Sequence, residues 1–134
     1  MGFFDFLKPN SNKRFVTESE FRRNQSKQIK MAPQTLSQLR KLGVSEERRL
    51  KLEYFLYADK SENASALAAE LEKLNYSVEF GKSAGDEKLF VITGWSTPLS
   101  MNAVAAEKWT SDMCELGFKY DCEFDGWGTT PDQE

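Results

Sequence analysis

The sequence predicts an α+β sandwich: a four-stranded antiparallel sheet with two helices on one face, entered through a basic, partly helical N-terminal arm. Three observations predict it. After residue 52 the patterned segments come in the order strand, helix, strand, strand, helix, strand. The first and third strand segments are dense in apolar residues, whereas the second and fourth alternate; the dense pair belongs at the centre of a sheet and the alternating pair at its edges. The charge also changes sign at one seam. Residues 1–52 carry 12 Lys/Arg against 5 Asp/Glu, and residues 53–134 carry 6 against 16. The division that follows is a basic arm over 1–34, a regularly patterned domain over 35–128 and a polar tail over 129–134.

The elements follow in order. Residues 1–8 hold Phe3, Phe4, Phe6 and Leu7, an apolar patch that docks or frays; Pro9-Asn10-Ser11-Asn12 is a turn. Thr17 and Glu20 have capping-box spacing, so a helix runs to about Met31 and Pro33 ends it. A second short helix starts at Thr35 with Leu36, Leu39 and Leu42, and stops at Gly43. Glu53-Tyr54-Phe55-Leu56-Tyr57-Ala58 is the first strand, central or covered on both faces. Ala64, Leu67, Ala68, Leu71 and Leu74 form one helical stripe, closed by Asn75. Residues 76–80 alternate as an edge strand, and 88–95 are apolar as a central one. Ser100 caps a helix to Leu116, with Met101, Ala105, Trp109, Met113 and Leu116 buried and Gly117 as its stop. Residues 120–125 alternate as the last edge strand, closed by Gly126-Trp127-Gly128. The order and the centre-edge assignment together fit a ferredoxin-like βαββαβ sandwich. One sheet face then carries either Tyr54/Leu56 or Phe55/Tyr57, with Phe90 or Val91 beside them. Something covers that face: the arm, a second copy or a partner.

Composition excludes most chemistry. There is no histidine, which removes the commonest general base, zinc ligand and nucleophile partner. No enzyme and no cofactor is expected. Cys114 and Cys122 fit no metal spacing and are expected as buried small hydrophobes. No stretch is long and apolar enough for a membrane span, and no signal peptide is evident, so a cytoplasmic protein is expected. Gly81-Lys82-Ser83 lacks the earlier glycine and the following helix of a phosphate loop. An RNA-recognition reading would use Tyr54 or Tyr57 with Phe90. The acidic domain repels phosphates, and the third strand lacks the basic-Gly-aromatic run, so direct nucleic-acid binding is disfavoured. A small-molecule pocket lined by Tyr54, Phe90 and Trp95, in a domain dimeric through its sheet face, stays open as an alternative.

Asp121, Glu123 and Asp125 alternate along the last strand and so share one face, at ~6 to 7 Å spacing. Their plain reading is a solvated edge that blocks pairing. The other is an acidic stripe for a basic partner, with Trp127 and Trp95 as aromatic anchors.

From Thr35 to Trp127 the chain resembles the ribonuclease E inhibitor family, regulators of ribonuclease activity B. The carrying residues are Leu36, Leu39 and Leu42-Gly43 leading into Leu52-Glu53-Tyr54-Phe55-Leu56-Tyr57; Ala66-Leu67-Ala68-Ala69-Glu70-Leu71 with Leu74-Asn75-Tyr76-Ser77-Val78; and Tyr120-Asp121-Cys122-Glu123-Phe124-Asp125-Gly126-Trp127. The resemblance implies a non-catalytic ferredoxin-like domain that binds the arginine-rich regulatory region of an RNA-degrading endonuclease and modulates its activity. The basic arm over 1–33 departs from the family pattern.

Overall fold

The computed structural model describes residues 13–133. The apolar segment Phe3–Leu7 and the turn at 9–12 lie outside them. The elements are α1 (Glu18–Lys41), β1 (Arg49–Leu50), β2 (Glu53–Ala58), α2 (Ser61–Lys73), β3 (Glu79–Lys82), β4 (Phe90–Trp95), β5 (Leu99–Ser100), α3 (Ala103–Lys119) and β6 (Glu123–Gly128). The fold is α+β. Its main sheet is four-stranded and antiparallel in the order β3-β4-β2-β6. The two apolar strands are therefore central and the other two are edges. A small sheet of β1 and β5, which the sequence did not signal, pairs Leu50 with Leu99.

One continuous helix replaces the two expected before residue 43. Thr17 accepts from the Glu20 N–H and Glu20 accepts from the Thr17 N–H, the reciprocal cap the sequence indicated. Pro33 lies inside α1, exposed, and does not end it. Proline removes one backbone bond and crowds the preceding turn. The buried positions Gln28, Ala32, Leu36 and Leu39 nevertheless stay on one face through the proline. That face packs on α3 and β6, and burial along it outweighs the lost bond. Helix α1 thus crosses the boundary expected at 34/35. Gly43, at φ +88°, closes it in the left-handed region.

The core lies between the helices and one face of the sheet. Tyr54, Leu56 and Ala58 are fully buried, with Ile92 and Phe124 beside them. Ala64, Leu67 and Leu71 of α2 and Ala106, Trp109 and Met113 of α3 complete the cluster. Cys114 and Cys122 are buried and unbridged within it; burial pushes both thiols up to about 12. Gly117 is not the stop of α3 but lies within it. A Cβ there would sit 2.8 Å from Leu56 Cδ2 and 2.9 Å from the Cys122 carbonyl oxygen, so the glycine marks a close helix–sheet approach. Asn102, rather than Ser100, caps α3, accepting from Ala105 N–H at 2.8 Å.

Both edge strands begin three residues later than their alternation suggests. Tyr76 is drawn inward, where its hydroxyl accepts from Trp109 Nε1 at 3.0 Å. Asp121 takes a left-handed φ of +58°, so β6 cannot start before Glu123. Gly126 and Trp127 belong to β6 rather than ending it.

Candidate partner-binding face

The second face of the sheet is half open. On β2, Glu53, Phe55 and Tyr57 alternate with the buried set and are half-buried. Three cross-strand rows follow from the register. Gly81, Val91, Tyr57 and Glu123 form the first; Glu79, Thr93, Phe55 and Gly126 the second; Trp95, Glu53 and Gly128 the third. Residues directly opposite on antiparallel strands share a face. The open face is therefore an apolar floor of Phe55, Tyr57, Val91 and Trp95, edged by Glu53, Glu79 and Glu123. The choice left open between Tyr54/Leu56 and Phe55/Tyr57 falls to the latter, with Val91 rather than Phe90 beside them.

Helix α1 forms one wall. A groove between α1 and β6 is lined by Gln28, Met31, Thr35, Phe55, Asp125 and Trp127, among others. A second, open groove of about 760 Å³ carries Arg23, Lys27, Lys30 and Met31 opposite Glu123. The described part of the arm thus flanks the open face and leaves its floor uncovered.

The sequence-derived site residues separate. Asp121 is off the strand. Its carboxylate accepts from the backbone N–H of Phe15 at 3.0 Å and Val16 at 2.9 Å, and Arg14 lies 3.4 Å away. Arg14 also donates to the Phe118 carbonyl and stacks on its ring. Asp121 is thereby committed to holding the arm. The three-carboxylate stripe reduces to Glu123, in the first row, and exposed Asp125. The strand is bulged between them and Gly126: Leu56 pairs with Phe124 and Phe55 with Gly126, which leaves Asp125 unpaired and turned out. Trp127 packs edge-on against Trp109, ring centres 6.3 Å apart, on the helix side. Trp95 lies on the open side at the far row. The pocket of Tyr54, Phe90 and Trp95 does not form. Tyr54 and Phe90 sit on the helix-side face, and Tyr54 donates to the Ser77 carbonyl, its pKa raised by burial.

Two features of the open face are unpaired among the described residues. Among the described residues, none of Glu53, Glu79, Glu123 and Asp125 is in an ion pair. Thr93 Oγ1, in the central row, is buried with no hydrogen-bond partner, a costly state for a hydroxyl. The Glu123 carboxyl is raised above the usual carboxylate range, first by burial, then by Asp125 and Glu20, with Lys27 opposing. Folding therefore disfavours its charged form. That cost is full above the folded pKa and fades as pH falls through it. Glu123→Gln is expected to raise the denaturation midpoint at neutral pH and to lose that advantage below about pH 4, where the unfolded chain is protonated too.

Compared with known families, residues 30–129 match RraB, regulator of ribonuclease activity B. The chain belongs to this family. No curated protein matches it. RraB membership covers every residue of the open face and of β6, and begins inside α1. It places the chain among regulators of ribonuclease activity. The partners of Asp121 on the arm, Arg14 to Val16, precede the matched region. The sequence missed Glu79, Thr93 and the Phe55/Tyr57 choice, because periodicity gives two faces without saying which one the helices take. No helix among the described residues is long and apolar enough to cross a membrane.

Proposed function

We propose that this RraB protein is a non-enzymatic, cytoplasmic regulator that binds a ribonuclease through the open face of a ferredoxin-like sheet. The partner segment is basic and arginine-rich. The observation that carries the reading is an aromatic floor edged by Glu53, Glu79 and Glu123, with Asp125 beside them, none of the four in an ion pair among the described residues. Guanidinium groups suit both parts. They pair with carboxylates through planar forks and stack on aromatic rings. Glu123, Asp125 and Trp95 touch the partner in this reading, joined by Glu53, Glu79, Phe55 and Tyr57. Trp127 shapes the wall from behind, and Asp121 fixes the arm that forms it. The division into 1–34, 35–128 and 129–134 is proposed as one of charge and role, since α1 runs through it.

A homodimer through the same sheet face is the second reading, favoured by the half-exposed apolar rows. Capture from lysate separates the two. A partner held at low salt, released by raised salt and retained after ribonuclease treatment is expected. Loss of every partner on that treatment overturns the protein-binding reading in favour of RNA, and no capture together with a stable dimer leaves the homodimer.

A further inference from the structure

Strand β3 leaves one backbone edge unused. Ser77 N–H donates to the Trp95 carbonyl at 3.1 Å and Ser83 N–H to the Leu89 carbonyl at 2.8 Å, and these bonds bracket the strand. Glu79 and Gly81 lie between them, opposite Thr93 and Val91. In an antiparallel ladder the residues in between turn their N–H and C=O the other way. The backbone groups of Phe80 and Lys82 therefore point away from the sheet. Strand β3 is terminal in the strand order and all four of its residues are exposed. Phe80 itself is 44% exposed. The opposite edge is attended: Asn24 of α1 donates to the Phe124 carbonyl at 2.7 Å.

We propose that β3 pairs antiparallel with β3 of a second copy, about a two-fold axis normal to the sheet and centred on Phe80. Such an axis keeps open face with open face, so the register must centre on a residue. It must also centre on one whose backbone points outward. Centring on Lys82 would set two ammonium groups opposite each other, which is unfavourable. Centring on Phe80 sets the two exposed rings side by side and Glu79 opposite Gly81, with no like charges facing. The outward groups of both Phe80 residues then bond mutually, and those of Lys82 meet Val78. The contact is isologous and closed. It consumes both free β3 edges, and α1 attends the other edge, so assembly stops at two copies. A four-residue ladder falls at the small end of interface sizes, so the dimer is transient. It would carry two open faces side by side on one eight-stranded sheet. That consequence rests on the partner-binding reading above; the pairing does not.

Sedimentation velocity of the full chain, from roughly 10 μM to 1 mM, tests it. A monomer–dimer equilibrium is expected, weakened at least about tenfold by Phe80→Glu, which places like charges face to face. Val104→Glu, at an exposed apolar position on α3, is expected to leave it unchanged. Under mild oxidation Phe80→Cys is expected to cross-link copies through position 80, since Cys114 and Cys122 are buried. If Phe80→Glu loses its far-UV circular dichroism, the cross-link decides. A monomer throughout, a dimer indifferent to Phe80→Glu, or no cross-link overturns the proposal. None of these readouts involves the ribonuclease.

Discussion

Gly94→Ala is expected to cost more than about 3 kcal/mol or to prevent folding. A Cβ at Gly94 would lie 1.9 Å from the Ser77 carbonyl oxygen, 2.6 Å from its carbon and 2.7 Å from the Tyr54 hydroxyl. Two of these are backbone atoms, and they are held. Ser77 N–H donates to the Trp95 carbonyl, and the Trp95 N–H donates to Ser77 Oγ at 2.9 Å. Tyr54 has no exposed surface and donates to the same Ser77 carbonyl. No flexible side-chain end is available to give way. Close-packed interiors transmit such a clash rather than absorb it. Urea denaturation checks it, and a loss under about 1 kcal/mol would show that the strand after α2 can move.

The largest functional effect is expected from reversing charge on the open face. The double change Glu123→Lys with Asp125→Lys is expected to weaken capture of an arginine-rich partner by at least about tenfold at low salt, mainly through slower association. Salt is expected to narrow the gap, because these carboxylates stand at a solvated rim. Glu123 faces Arg23, Lys27 and Lys30 across the groove, so the double change is expected to lower the denaturation midpoint, whereas Asp125→Lys alone, at an exposed position, is expected to hold it and still weaken capture. Asp121→Asn is the instructive contrast. It is expected to lower stability, since its carboxylate accepts two backbone N–H groups of the arm, and to affect capture only indirectly. Equal loss of capture from Asp121→Asn and from the double reversal, with α1 still in place, would put Asp121 on the binding surface after all.

Much of the fold was legible because hydrophobic density and element order agree. The central positions of β2 and β4 followed from their apolar content, and Thr17, Gly43 and Asn75 marked helix ends through chemistry that is local in sequence. What sequence reading lost was non-local. Pro33 is a breaker by any local rule, yet α1 continues because its buried face pairs with α3, seventy residues away in the chain. Asp121 alternates with Glu123 and Asp125 on paper. A left-handed turn and a bulge at Asp125 scatter the three, and neither leaves a mark in a period-two pattern. The site was half legible for the same reason. Acid and aromatic content pointed to a basic partner, but the residues grouped in sequence sit on different surfaces. The surface that stays open is drawn from β2, β3, β4 and β6 together.

The open face, and no other surface, is expected to receive the basic segment. The most direct test titrates an arginine-rich peptide into the isotope-labelled protein and maps which amide and indole signals move. Shifts are expected at Phe55, Tyr57, Val91, Thr93, Glu123 and the Trp95 indole, with the Trp109 indole and α2 unmoved. Shifts confined to α2 and the exposed side of α3, with the Trp95 and Tyr57 signals unchanged at saturation, would contradict it.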